Sequence, residues 1–202
     1  MAARRLGILI SGRGSNMLAI GEAIAAGRLD ATIAVVVSSR ADAPGLDRAA
    51  AAGIPTAVVS AKAHGSREAC DRAIVDVLRG HDVELVCLAG YMRLITPAFV
   101  AAFPNAILNV HPSLLPSFPG LDAQQQAWAH GVKISGATVH FVTAELDAGP
   151  IVLQAAVPVM DDDTAETLSA RILVEEHRLY PAAIAKVLAG GWRVDGRRVV
   201  PA

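Results

Sequence analysis

The stretch LGILISGRGSN, Leu6 to Asn16, decides the fold. Leu6–Ile10 is apolar and hardly alternates, as a strand buried on both faces should. Two glycines follow, Gly12 and Gly14, and Asn16 opens a helical pattern that runs to Ala26. A strand that passes through a glycine loop into a helix is the first unit of an α/β fold. The alternation then continues. Thr32–Val37, Thr56–Val59, Glu84–Ala89 and Ala106–Val110 read as strands, and Gly45–Ala52, Ser66–Arg79 and Pro97–Phe103 as helices. The expected core is a mostly parallel, twisted sheet with right-handed crossovers and helices on both faces.

After Gly131 the pattern changes. Gly136–Val142 alternates better and Pro150–Pro158 is extended, with no helix-length segment between them, so an antiparallel pair is expected there. A long helix is expected from Thr164 to about Leu188, bent near Pro181. Asp195-Gly196 between two apolar runs signals a terminal hairpin. There is no repeat and no low-complexity linker. The 202 residues are therefore read as one domain, 1–202, with halves of about 1–103 and 104–202.

Composition narrows the function. Net charge is −1 and no face-sized basic run occurs, which argues against a nucleic-acid partner. No apolar run approaches the ~20 residues of a membrane span, and the apolar segment after Arg5 breaks at Ser11-Gly12 without a leader's cleavage site. Cys70 and Cys87 are too few for a disulfide framework, so they are expected buried and reduced. A soluble cytoplasmic protein, monomer or homodimer, that handles small molecules is the expectation.

Two polar clusters lie at expected strand ends, where open α/β sheets bind ligands. The first is SGRGSN, Ser11 to Asn16. Glycines bring backbone N–H groups close to an anion, and the helix start adds donors and a favourable dipole. It is not a Walker loop, and it lacks the third glycine of a dinucleotide loop. Ser39 and Arg40 could suit a 2′-phosphate, but a monophosphate fits the loop better. The loop alone also reads as a tight turn with Asn16 as a helix cap. The second cluster is ILNVHPSLLPSFPG, Ile107 to Gly120. Asn109 and His111 are two apart and project to one side of a strand. Pro112, Pro116 and Pro119 stiffen the exit. Asp147, in the turn-rich TAELDAGP (Thr143 to Pro150), is the carboxylate that could sit beside His111 and favour its charged form. No Gly-x-Ser-x-Gly elbow or activated cysteine competes as nucleophile. An Asn–His–Asp set without a nucleophile suits direct transfer of an acyl-like group to an external amine. No Cys/His spacing suits zinc, and Asp161-Asp162-Asp163 reads as a solvated helix entry, so no metal is expected.

SGRGSN, AGYMRLI (Ala89 to Ile95), NVHPSLLPSFPG, GATVHFV and LDAGPI, in this order and spacing, resemble the phosphoribosylglycinamide formyltransferases, folate-dependent enzymes of purine synthesis. The resemblance runs from about Leu6 to Tyr180. It implies a Rossmann-like fold and 10-formyltetrahydrofolate as co-substrate, with glycinamide ribonucleotide as acceptor. It also implies roles: Asn109, His111 and Asp147 as the catalytic trio, Gly14, Ser15 and Asn16 on the substrate phosphate, and Glu176 on its ribose. Arg67, Met92, Arg93, Leu94 and Ile95, with Val142, Thr143, Ala144, Glu145 and Leu146, match the folate site. After FPGL, Asp122 and Gln124 stand where many members carry histidine, so substrate contacts there are not carried over. The competing expectations are a 10-formyltetrahydrofolate hydrolase using the same trio with water, and a non-catalytic nucleotide-binding module. The hydrolases usually carry an additional N-terminal domain, which the five residues before the first strand do not supply.

Overall fold

The computed structural model describes residues 3–202. The chain groups into two compact units, one up to Leu108 and one from Asn109 to Ala202. The first unit contains β1 (Arg4–Ile10), α1 (Ser15–Ala25), β2 (Ala31–Ser38), α2 (Pro44–Ala51), β3 (Thr56–Val58), α3 (Ala61–His64), α4 (Arg67–Gly80), β4 (Leu85–Leu88) and α5 (Pro97–Ala102). Its strands lie in the order β3-β2-β1-β4 and pair in parallel, with Ile8 opposite both Val36 and Cys87. Leu6, Ile8, Leu9 and Ile10 are fully buried, which is why their stretch has no alternation.

The strand β5 (Ile107–His111) leads into the second unit, which adds α6 (Ala123–Ala129), β6 (Ile134–Phe141), β7 (Ile151–Pro158), α7 (Ala165–Ala189), β8 (Trp192–Asp195) and β9 (Arg198–Pro201). Strand order here is β5-β6-β7-β9-β8. β6 and β7 are antiparallel, as are β8 and β9, while β9 meets β7 in parallel at Arg198 and Ile151. Ala137 and Val157 of the sheet pack on Leu168 and Ile172 of α7. The fold is thus mixed α/β: a parallel core, antiparallel strands toward the C-terminus and a long C-terminal helix.

α7 is locked at its start. Thr164 and Thr167 cap each other reciprocally, each side chain accepting the other's backbone N–H at 3.3 and 2.9 Å. Arg171 forks onto both oxygens of Asp163 at 2.7 Å. The expectation of a solvated acidic entry is therefore corrected at Asp163. Its side chain is only 3% exposed, and Arg171 holds its carboxyl well below the usual range. Asp161 does face solvent, paired with Lys133. The helix continues through Pro181 to Ala189. Two further helices, α3 and α6, were not expected. α3 has four residues, none buried, and α6 starts on a left-handed Asp122 whose side chain makes no capping bond. Neither carries an apolar stripe that a sequence pattern could register.

Candidate active site

β5 delivers Asn109 and His111 two residues apart, so the pleat sends both side chains to one side. His111 is 4% exposed and Asn109 half-buried. The chain then turns through Pro112–Gly120. Ser113 donates its hydroxyl to the Ser117 carbonyl at 2.6 Å. Thr138 of β6 donates to the Ser113 carbonyl at 2.7 Å and accepts from the Leu115 N–H at 3.0 Å. Gln154 of β7 donates to the Leu115 carbonyl at 2.9 Å. The Leu115–Pro116 peptide bond is cis. Phe118 stands at φ 55°, and its carbonyl oxygen lies 2.8 Å from His111 Nε2.

Asp147 closes the cluster from the loop after β6. Its Oδ2 accepts the Gly120 N–H at 2.8 Å and lies 3.4 Å from His111 Nδ1. His111 therefore faces an acceptor at each ring nitrogen, a carbonyl on one side and a carboxylate on the other. A proton on both nitrogens satisfies both contacts.

His140 is the fourth member. It is 2% exposed, and its Nδ1 lies 2.9 Å from the Phe141 carbonyl, which can only accept. Nδ1 thus carries the proton. Burial pushes the imidazole below its ordinary value despite that carbonyl and Asp147, so the ring is neutral and Nε2 is an acceptor. The 3.7 Å separation from Nε2 to Asp147 Oδ1 is then not an ion pair. Instead Nε2 accepts from Asn109 Nδ2 at 3.3 Å. That bond fixes which end of the Asn109 amide is nitrogen and leaves its second N–H to donate elsewhere. The sequence alone does not separate a His140 that faces the site from one that simply hydrogen-bonds. Its place on β6, in alternation with Val139 and Phe141, was the available signal.

Gly149 shapes the Asp147 loop. A Cβ there would run into the Phe141 carbonyl, the same group that holds His140 Nδ1. Of the residues assigned by resemblance to folate in this loop, Val142 and Thr143 are partly buried, and Ala144, Glu145 and Leu146 are exposed. Glu176 is buried on α7, 7% exposed.

In the first unit, Gly14 takes φ 70° and precedes α1, whose start has no side-chain cap. A helix start directs backbone N–H groups outward, the arrangement that suits an anion. Ser15 is partly exposed and Asn16 buried. Ser11, the first loop residue, shares a 2.7 Å hydrogen bond with Ser39 and accepts the Met92 N–H at 2.9 Å, so the glycine loop and the Met92–Ile95 segment meet through one hydroxyl. Arg67 lies exposed in the first turn of α4. Arg40 forms a two-bond pair with Asp42 on the surface.

A family model described as formyl transferase matches residues 4–184. Phosphoribosylglycinamide formyltransferase of Escherichia coli is 45% identical over 94% of this chain and 87% of its own length. The trifunctional purine biosynthetic protein adenosine-3 of Bos taurus is also 45% identical over 94% of this chain, which spans only 19% of that longer protein. The solved structure of glycinamide ribonucleotide transformylase 1 from Symbiobacterium toebii superposes with a TM-score of 0.96 at 54% identity, covering 99% of this chain and 94% of that one.

Proposed function

The chain belongs to the formyl transferase family, and from that premise we propose that it moves the formyl group of 10-formyltetrahydrofolate to the amine of glycinamide ribonucleotide in purine biosynthesis. The observation that carries the reading is the contact of His111 with Asp147 beside Asn109, at the end of one strand. The amine nitrogen attacks the formyl carbon, a C–N bond forms and the carbonyl oxygen becomes an oxyanion. The free N–H of Asn109 and the Nε2–H of His111, turned from the Phe118 carbonyl, donate to it. Each such donor lowers the barrier by roughly 3–4 kcal/mol. Collapse restores the carbonyl and breaks the bond to the folate nitrogen. The proton lost by the amine passes to that nitrogen through His111 or a water held by Asp147.

In this reading Gly14, Ser15 and Asn16 take the ribonucleotide phosphate and Glu176 its ribose. Arg67, Met92–Ile95 and Val142–Leu146 take the folate. The two cysteines, both buried and neither in a disulfide, suit a reducing compartment, and we assign the protein to the cytoplasm. No helix among the described residues is long and apolar enough to cross a membrane.

The test is tetrahydrofolate release from 10-formyltetrahydrofolate with and without glycinamide ribonucleotide, in metal-free buffer. Release only with the ribonucleotide is expected. Equal release without it would make the protein a hydrolase, and none in either case would leave a binding module.

A further inference from the structure

We infer that Asp71 is a positioning residue for the folate co-substrate: it ties the helix that carries Arg67 to the segment Met92–Ile95. The inference rests on the proposed function for the identity of the ligand, and on the following geometry for the tie.

The segment is held at both ends by side chains from elsewhere in its unit. At its start, the Met92 N–H donates to Ser11 Oγ at 2.9 Å. Just past its end, the Thr96 N–H donates to Asp71 Oδ2 at 2.6 Å. Between these bonds Met92 is 69% and Leu94 56% exposed. Two large apolar side chains are thus presented to solvent on a tethered backbone, as suits a wall for a flat, largely apolar ring. Asp71 lies four residues after Arg67 on α4, one turn along, and so on the same face. The Asp71–Thr96 bond therefore sets the distance between two groups that the co-substrate is proposed to touch. Thr96 passes the constraint on, because its own hydroxyl accepts the Phe99 N–H at 3.3 Å and starts α5.

Stability alone does not account for a carboxylate at this position. Asp71 is 2% exposed, and its Oδ1 has no partner among the described residues. The neighbouring Tyr91 hydroxyl, also buried, has none either. A buried carboxylate with one oxygen unsatisfied costs the fold more than an apolar side chain of similar size. What it supplies is a short, charge-assisted bond to one chosen N–H. A costly group whose one strong bond fixes a ligand-facing segment is what support of a site from behind looks like.

Asp71→Leu keeps the branching at Cγ, at a larger volume, and removes the acceptor. Asp71→Asn removes the charge and keeps an oxygen for the Thr96 N–H. Each variant is compared with the unmodified protein by steady-state kinetics in both substrates and by amide hydrogen exchange over residues 91–97. The leucine variant is expected to raise KM for 10-formyltetrahydrofolate about tenfold, with kcat and the KM for glycinamide ribonucleotide within about twofold, and to speed exchange at Thr96. The asparagine variant is expected to recover most of that loss. An unmoved folate KM, or a proportional loss in both substrates together with a lower Tm, overturns the inference. Should the leucine variant fail to fold, Asp71→Ala repeats the comparison. If the unmodified protein shows no folate-dependent turnover, the proposed function fails. The exchange rates then decide the tie on their own: unchanged exchange at Thr96 overturns it.

Discussion

His111 Nε2 stands 2.8 Å from the carbonyl oxygen of Phe118, seven residues further along the same loop. The ring is thereby held from one side by its own exit loop and from the other by Asp147 at 3.4 Å. In this arrangement the Nε2–H is taken by the Phe118 carbonyl, and it must leave that acceptor to reach a developing oxyanion.

Removal of His111 or of Asp147 by alanine is expected to lower kcat by about 10²–10³-fold while ribonucleotide affinity stays within about twofold. Turnover measured beside an equilibrium titration separates the two effects. Near-normal turnover in either variant would take that residue out of the reaction.

His140 and Asn109 are expected to act as a unit, because the imidazole acceptor is what orients the amide. Asn109→Ala should lose about 10²–10³ in kcat and His140→Ala about tenfold, while the double variant loses no more than Asn109→Ala alone. Additive losses would show that the two side chains work independently.

The buried His140 also sets a pH dependence of stability. Its folded value lies below its ordinary one, with burial as the main cause. Unfolded, the ring takes up a proton near pH 6.5, whereas folded it does so only at lower pH. In that window the unfolded state binds more protons, so stability rises with pH and falls as the solution is acidified below about 6.5. His140→Gln should flatten that part of the urea-midpoint profile, and an unchanged slope would contradict the assignment.

Gly149→Ala should be among the most damaging small substitutions in the second unit. The added methyl meets the Phe141 carbonyl, which is backbone and cannot rotate away. A loss of roughly 2–4 kcal/mol is expected in urea unfolding, with a fall in turnover as Asp147 shifts. A stability within error of the unmodified protein would show that the loop relaxes freely.

Much of the architecture is legible in the residues because burial on both faces leaves a plain mark. Leu6–Ile10 lacks alternation, and β1 is buried on both sides. The shared side of Asn109 and His111 follows from the two-residue period of a strand. What escaped the sequence depends on backbone carbonyls brought close by folding. The tautomer of His140 is set by the Phe141 oxygen, the ring of His111 is held by the Phe118 oxygen, and Asp71 reaches the Thr96 N–H from another helix. None of these partners is named by a residue type, since every residue carries the same carbonyl and N–H. The short helices α3 and α6 escaped for a different reason, having no apolar stripe to reveal a period.

The lock at the start of α7 has a geometric consequence at Glu176, about three turns further on. A helix advances about 100° of azimuth per residue, so the capping pair and the Asp163–Arg171 fork act as an index mark for every side chain downstream. Inserting or deleting a single residue between Thr164 and Glu176 would rotate the glutamate by more than a quarter turn without breaking the helix. The clamp at one end thus keeps the angular register of a carboxylate that it never touches.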